Sequence, residues 1–290
     1  MKKLTAHLLN QYRVKTYRLA PEKRLRTPQE AVQFVNERGF IFFWPVKNIT
    51  LPSLWSAVAG DRPVPDEHDD PGHITWSWKD QMLDKRVWYY ARILKKRNTI
   101  IALDIMPYFY ALSPNYGSPE EDLLDQYHQG LLPLEAKLIF ETLLDKGPLD
   151  TISLRRESHL SGTNSTSRFT RALDLLQKDL KVLPTAIAET GAWRYAFVYD
   201  LTHRYYPDLL EQARMITESD ACSHLVTRLI NSVGIASLKE ITSLFGWTTE
   251  ATQKAVNRLL DAKSVIEKVY LENNGEPVFC ALELASSIPV

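Results

Sequence analysis

The residues best suited to chemistry lie in an acidic loop that contains two histidines and in the stretch that follows it. The loop covers residues 66–73 and includes four carboxylates. Asp69, Asp70 and Asp80 are candidates for a general base, or for a carboxylate that stabilises a developing cation. Lys79 is a candidate amine nucleophile. The sequence leaves the choice among these roles open.

A metal site is a further interpretation of the same loop. Histidines among carboxylates suit a hard metal ion, but their spacing matches no familiar metal site and flexible acidic loops are common. We therefore expect no metal, and we expect no cofactor. The two cysteines, Cys222 and Cys280, form neither a metal-binding spacing nor a disulfide framework, and we interpret both as packing residues.

Three tryptophans, Trp44, Trp76 and Trp78, are candidates for a base-stacking pocket, because an exposed cationic base stacks well on indole. Alternatively, the last two anchor a proline-rich loop whose acids are solvated or paired with basic residues. Residues 85–97 pose a similar choice, with six basic residues, no acid and three aromatic residues. This composition suits contact with phosphates and bases. It equally suits an amphipathic helix with its aromatic residues in the core.

The elements that position such residues are clearest in the middle of the chain. Apolar residues at a three-to-four spacing over 134–144 predict a helix buried on one face, and residues 147–148 end it. A short second helix is predicted over 151–159, a third helix follows, and strands are predicted over 182–188 and 193–199. This order is typical of a winged helix, a common nucleic-acid-binding module.

The third helix of this module combines an apolar stripe with cations on the opposite side. The stripe runs from Phe169 to Leu180, while Arg168, Arg171 and Lys178 face away from it. We interpret the helix as a recognition helix. Its three cations are then predicted to contact phosphates or the DNA groove.

A weaker copy of the pattern closes the chain. Its strands flank residues 273–275, where Asn-Gly is a strong hairpin signal. Lys254 and Arg258, four residues apart on its last helix, are further candidates for DNA contact. Tandem modules bind extended ligands better than one copy does, through effective concentration. The helices of this copy are predicted over residues 225–230, 237–245 and 248–262.

Composition limits the class of protein. The chain has 290 residues, of which 44% are hydrophobic and 24% charged, as in soluble globular proteins. No apolar run approaches the length of a membrane span, and basic residues interrupt any signal-peptide core, so we expect a cytoplasmic protein. The net charge of zero argues against indiscriminate coating of nucleic acid. A transcription regulator is expected to have a dimerisation helix or an effector domain, and neither is evident in the sequence. We also expect a monomer.

Three segments carry a resemblance to a known family: residues 147–149, the helix segment 171–176, and residues 198–207, which contain the pattern Tyr-Asp-Leu-x-x-Arg-x-x-Pro. In these segments the chain resembles the bacterial winged-helix DNA glycosylases that unhook alkylated purines and interstrand crosslinks, the AlkZ/YcaQ group, and most closely a shorter AlkZ-related branch. Residues 234–237 also lie where that family has another winged helix. The resemblance implies a concave array of winged helices around duplex DNA.

The chain departs from this family at the catalytic motif, which is Gln, an apolar residue, then Gln or Asp, usually followed by Pro. In the matching segment, residues 39–45, the first polar position is Phe42 and the second is Trp44. Neither side chain can align a water molecule or stabilise an oxocarbenium ion with an oxygen atom, so the family's mechanism does not transfer directly. The two residues either line a stacking pocket or belong to the core of the first domain.

The sequence therefore predicts an α+β, predominantly helical fold with tandem winged-helix (helix-turn-helix) modules. We expect an N-terminal domain at 1–125 that contains a winged-helix variant, a winged-helix domain at 126–210 and a winged-helix-like domain at 211–290. The expected partner is double-stranded DNA, damaged or intact. Two functions stay open. One is hydrolysis of the N-glycosidic bond of alkylated or crosslinked bases, and the other is noncatalytic binding in damage recognition or transcription regulation.

Overall fold

The computed structural model describes residues 2–162, 165–191, 193–272 and 276–288, and within these ranges one pattern of helices and strands occurs three times. Each repeat consists of a helix, a short strand, two further helices and an antiparallel hairpin. In every repeat the short strand pairs with the second strand of the hairpin, so the sheet order is first, third, second. The fold is therefore mixed α+β, with helices contributing most of the regular structure.

The first repeat follows a short strand and a helix. Its first helix begins with a capping box, in which the Thr27 hydroxyl and the Glu30 carboxylate each accept a backbone hydrogen bond from the other residue. This helix ends at Gly39, whose φ of +85° favours glycine. The elements up to the end of this repeat are β1 (Lys2–Leu4), α1 (Ala6–Thr16), α2 (Pro28–Arg38), β2 (Phe40–Phe42), α3 (Leu54–Ala59), α4 (Ile74–Met82), β3 (Tyr89–Arg92) and β4 (Asn98–Ile101).

The second repeat confirms the helices and strands predicted in the middle of the chain. Its third helix and the turn that follows it bury the apolar stripe from Phe169 to Leu180, as the periodicity indicates. The second hairpin strand begins at Ala196, three residues later than the sequence predicts. The elements from the connecting segment onward are α5 (Met106–Ala111), α6 (Pro119–His128), α7 (Leu134–Lys146), β5 (Leu149–Asp150), α8 (Thr151–Glu157), α9 (Thr166–Lys178), β6 (Val182–Ala188), β7 (Ala196–Leu201), α10 (Thr202–Tyr205) and α11 (Leu209–Arg214).

The third repeat confirms the three helices and two strands predicted near the end of the chain. The predicted hairpin turn at residues 273–275 lies outside the described residues. A capping box at Ser237 and Glu240 fixes the start of the second helix. The elements are α12 (Glu218–Val233), β8 (Ile235–Ala236), α13 (Leu238–Phe245), α14 (Thr249–Asp261), β9 (Val265–Leu271), β10 (Pro277–Ala281) and α15 (Leu282–Ser286).

Two hydrophobic cores hold the described ranges together. One core combines the first and third repeats, and the other lies within the second repeat and the adjoining α6. The strand that precedes the first repeat also joins the third repeat by backbone, because β1 pairs in parallel with β9 and thereby completes a four-stranded sheet. The division of the chain into domains at residues 125 and 210 stays a prediction. In the structure, one core contains residues of both the first and the third repeat.

The ranges that the structure describes contain neither a helix that could span a membrane nor a group of side chains that could hold a metal ion. No helix there combines the length and the apolar character that crossing a membrane requires. No group of three or more histidine, cysteine, aspartate and glutamate side chains is arranged to hold a metal ion. Cys222 and Cys280 are both buried, as packing residues are.

Candidate functional site

Helix α4 carries most of the residues that the sequence singles out for chemistry. It is the third helix of the first repeat, the position that α9 and α14 hold in the other two. Because an α-helix turns once every 3.6 residues, Trp76 and Trp78 lie on different faces. Trp76 is exposed, whereas Trp78 is 5% exposed and packs in the core. The structure therefore does not place Trp78 in an accessible pocket beside Trp76.

Trp44 and Trp76 belong to a group of five rings, which we term the ring cluster. The two indoles lie 5.5 Å apart between centroids. His73 stacks on Trp76 at 5.4 Å, and His68 stacks on the same indole at 6.2 Å. The fifth ring, Trp55, lies 5.2 Å from His73. Both loop histidines therefore contact tryptophan rings.

Asp70 holds the acidic loop in place. Its carboxylate accepts two hydrogen bonds from the Arg62 guanidinium, at 2.6 and 2.9 Å, and a third from the backbone N–H of Gly72 at 2.7 Å. The hydrogen bonds from Arg62 keep the pKa of Asp70 below its usual value. Asp69 is exposed and forms no hydrogen bond or ion pair with a described residue. Of the two candidate aspartates in the loop, Asp70 is thus hydrogen-bonded to Arg62 and Asp69 is exposed to solvent.

Lys79 is enclosed by aromatic residues. Its side chain is 1% exposed, and among the described residues four rings lie with centroids 4.5 to 5.8 Å from its ammonium. Burial lowers the pKa of Lys79, and the adjacent Asp80 opposes that effect. Because the ammonium is enclosed, the structure does not favour the amine nucleophile that the sequence suggests. The enclosing rings are those of Phe43, Tyr90, Tyr195 and Phe197.

Asp80 is oriented by two neighbours and remains partly open. The Lys79 ammonium lies 2.7 Å from its Oδ1, and the Tyr195 hydroxyl donates a hydrogen bond to the same oxygen at 2.9 Å. The Asp80 side chain is 25% exposed. Burial and the nearby carboxylate raise the pKa of Tyr195, so the phenol stays protonated and able to donate. Asp80 therefore combines a fixed position with access to solvent.

The two residues that align with the family's catalytic pair have different environments. Phe42 is fully buried in β2, opposite Thr99 of β4, so it belongs to the core. Trp44 lies beyond the end of the strand, is half-buried and contacts Trp76 within the ring cluster. One position of the pair thus packs the sheet, and the other forms part of the surface.

The aromatic residues within 85–97 belong to the core. Trp88, Tyr89 and Tyr90 are all buried, and the last two lie in strand β3. The interpretation that places them in the core is therefore correct, although they form a strand and not a helix. The cations at the tip of the following hairpin, residues 95–97, are exposed. Contact between the buried rings and an exposed base is excluded in this conformation.

The cations predicted on α9 lie on its exposed side. Arg168 forms an ion pair with Glu135 at 3.0 Å, and its side chain is 53% exposed. Arg171 donates a hydrogen bond to the backbone oxygen of Ser167 within the same helix. Lys178 is exposed and lies 3.6 Å from the Asp179 carboxylate. Surface pairs of this kind are weak, so all three cations can exchange these partners for phosphates.

The two cations predicted on α14 differ in their contacts. Lys254 is exposed and forms no ion pair with a described residue. Arg258 lies 2.5 Å from the Asp220 carboxylate and donates a hydrogen bond to Ser219. These partners are in the first turn of α12, so Arg258 braces one helix against another. Of the two, Lys254 has the charge that is more readily available to a ligand.

The Tyr-Asp-Leu segment of the second repeat performs a structural task. The Arg204 guanidinium donates hydrogen bonds to the Asp200 carboxylate at 2.8 Å and to the backbone oxygen of Leu143 at 2.5 Å. Leu143 is in the last turn of α7, whose terminal carbonyls need partners outside the helix. Tyr199, the first residue of the segment, is buried. The segment therefore fastens the end of the hairpin to α7.

Comparison with known proteins identifies relatives of this sequence and fold. The family described as AlkZ related matches residues 25–246 of the chain. The fold is similar to that of the Streptomyces sahachiroi DNA glycosylase AlkZ, with a TM-score of 0.61 and 15% sequence identity. This similarity covers 99% of this chain and 73% of the other. No curated protein matches the sequence. At this identity the structural likeness concerns the fold.

Proposed function

Since the chain belongs to the AlkZ-related family, we propose that it is a double-stranded DNA-binding protein with a role like that of the DNA-repair glycosylases. The observation that carries this proposal is the threefold repeat, in which a helix, a strand, two helices and a hairpin form a sheet of constant order. We interpret each repeat as a winged helix. The third helices, α4, α9 and α14, are then the recognition helices, and the protein acts as a monomer.

The cations on the second and third recognition helices support duplex binding. Arg168, Arg171 and Lys178 are exposed on α9, and Lys254 is exposed on α14. Binding by such residues releases counterions from DNA, so affinity falls as salt rises. Arg258 contributes less directly, because it is engaged with α12.

For chemistry, we propose hydrolysis of the N-glycosidic bond of an alkylated or crosslinked base, with Asp80 as the carboxylate. A fixed carboxylate can align the attacking water or stabilise the oxocarbenium ion that forms as the bond breaks. Lys79 and Tyr195 hold the Asp80 carboxylate in place. The Asp70 carboxylate is instead paired with Arg62. Asp69 has no orienting partner among the described residues. A displaced base would stack on the exposed Trp76 or the half-buried Trp44 of the ring cluster.

Base release from duplex DNA that carries one N7-alkylated guanine tests the enzymatic proposal. We expect the wild-type protein to release the base. The rate of release should fall at least about 100-fold in Asp80→Asn and stay at the wild-type level in Asp69→Asn. Asp70→Asn serves as a control for folding, because it disturbs the loop without touching the proposed carboxylate. Release that survives Asp80→Asn would reject this assignment.

Noncatalytic damage recognition is the second candidate function. It is favoured by one observation, the apolar residues Phe42 and Trp44 at the positions of the family's polar pair. In this case the same duplex is bound more tightly than an undamaged one, and no base is released at any protein concentration. Absence of binding to either duplex would contradict both candidates.

A further inference from the structure

A cavity of about 340 Å³ opens beside Trp44. Its lining includes four cations, Lys47, Arg92, Lys96 and Arg97, and no carboxylate. We propose that this cavity binds an unpaired nucleotide of a DNA strand, with its base on the Trp44 indole and its flanking phosphates on the cations. The proposal rests on the proposed function, and it specifies a strand that is locally unpaired.

Three of the four cations have charge available for a ligand. Arg92 forms an ion pair with Asp174 of α9 at 2.9 Å. Lys47, Lys96 and Arg97 are exposed, and none forms an ion pair with a described residue. Unpaired cations around a cavity without acids produce a local positive potential, which attracts phosphodiester groups. The cavity is thus suited to a polyanion.

The hairpin that presents two of these cations is held in one shape. Lys95 and Lys96 both have positive φ, 53° and 55°, which is uncommon for residues other than glycine. The turn is fixed by a hydrogen bond from the Leu94 N–H to the Thr99 hydroxyl, which in turn donates to the backbone oxygen of Arg97. Lys95 also donates a hydrogen bond to Ser243 of α13. Residues 96 and 97 are therefore placed at the cavity before a ligand binds.

Trp44 adds an aromatic ring to the cavity, which a site for phosphate alone would not require. Its indole packs on one side against Phe43, with centroids 5.3 Å apart, and lies beside Trp76. Its buried Nε1 has no hydrogen-bond partner among the described residues. Bases inside a duplex are covered by their neighbours, so only an unpaired or displaced base can stack on an indole. The combination of indole and cations therefore favours a nucleotide of a single strand.

Binding of a short single-stranded DNA oligonucleotide that contains one 2-aminopurine tests this proposal directly. The fluorescence of this base falls when it stacks on an indole. We expect quenching by the wild-type protein, and in Trp44→Leu a loss of quenching and a fall in affinity of about tenfold or more. Trp44→Phe, which retains a ring, should bind with intermediate affinity and thereby separates stacking from folding.

The cations are tested by salt dependence. For Lys96→Ala with Arg97→Ala, the slope of log affinity against log salt should fall by about 1.4, because each phosphate contact with a single strand contributes about 0.7. The matched control is Lys23→Ala with Lys239→Ala, which removes the same charge from exposed residues outside this cavity. An equal slope for the two double variants would overturn the proposal.

Other outcomes separate this inference from the proposed function. If an oligonucleotide with an abasic site binds as well as the 2-aminopurine strand, the cavity holds phosphates only and the nucleotide proposal is wrong. If duplex DNA binds normally while the cavity variants leave single-strand binding unchanged, the inference fails alone. If single strands bind as expected and duplex DNA does not bind, the proposed function fails and the inference stands.

Discussion

The Lys79 ammonium donates a hydrogen bond of 2.8 Å to the Tyr195 hydroxyl, and this contact joins the first repeat to the hairpin of the second. The Tyr195 hydroxyl in turn donates a hydrogen bond to the Asp80 carboxylate. One phenol therefore accepts from a buried cation and orients a carboxylate. A buried ammonium without partners is costly. The position of α4 relative to that hairpin is therefore coupled to the geometry of the proposed catalytic carboxylate.

Removing the Tyr195 hydroxyl should reveal this coupling. We expect Tyr195→Phe to lower the free energy of unfolding by about 1–3 kcal/mol, because the buried Lys79 ammonium loses an acceptor. In a Lys79→Met background the same change should cost less, since no buried ammonium then loses an acceptor. Urea unfolding of the four proteins measures the difference. Equal costs in both backgrounds would show that the contact contributes nothing to stability.

Lys181 should make stability depend on pH above neutrality. Burial lowers the pKa of Lys181 to about 8, against 10.5 for an exposed lysine. Between these values the unfolded chain binds more protons than the folded one, so stability rises with pH. We expect the stability of the wild-type protein relative to Lys181→Met to increase by about 2 kcal/mol from about pH 8 to about pH 10. Chemical denaturation across this range checks the sign. A constant difference would contradict the shift.

Arg204 should be a residue of stability and not of ligand binding. Arg204→Ala removes the cation that pairs with the buried Asp200 carboxylate and a donor to the end of α7, so we expect a loss of about 3 kcal/mol in the free energy of unfolding. Arg214→Ala, which breaks an exposed pair with Glu211, should cost less than about 1 kcal/mol. Urea unfolding distinguishes the two. A reduced salt slope of DNA binding in a folded Arg204→Ala protein would contradict the structural role.

The exposed cations of α9 should contribute to duplex affinity through phosphates. Arg168→Ala with Arg171→Ala should weaken duplex binding and lower the salt slope by about 1.8, at about 0.9 per contact. The double variant of Lys23 and Lys239 again serves as the charge-matched control. Titration of labelled duplex at several salt concentrations gives both quantities. Unchanged affinity and slope would remove α9 from the DNA interface.

Much of the fold could be predicted from the sequence where helices have one buried face. The apolar stripe of α9 and the spacing in α7 indicate their bounds to within a few residues. Strand β3 could not be predicted from the spacing of apolar residues, because Tyr89, Tyr90 and Ala91 are all buried. A strand buried on both faces shows no alternation of apolar and polar residues. The pattern of the first repeat therefore becomes evident only in three dimensions.

The candidate site was predicted less completely than the fold. The sequence indicates Asp80 and Trp44, but nothing in it links Lys79 to Tyr195, which tertiary packing brings together from different repeats. It also treats Trp76 and Trp78 alike, although the helix directs one to solvent and the other to the core. Partners distant in sequence and the choice of helix face both depend on packing, which local patterns do not contain.

The parallel pairing of β1 with β9 has a consequence for how the chain folds as the ribosome makes it. Strand β1 is made long before its partner, because Lys2 pairs with Val269 and most of the described residues lie between them. The shared core of the first and third repeats must therefore wait for the last strands, and closing so long a loop is slow. The second repeat has a core of its own and can form sooner. Folding during translation would then start in the second repeat and finish when the first and third repeats join.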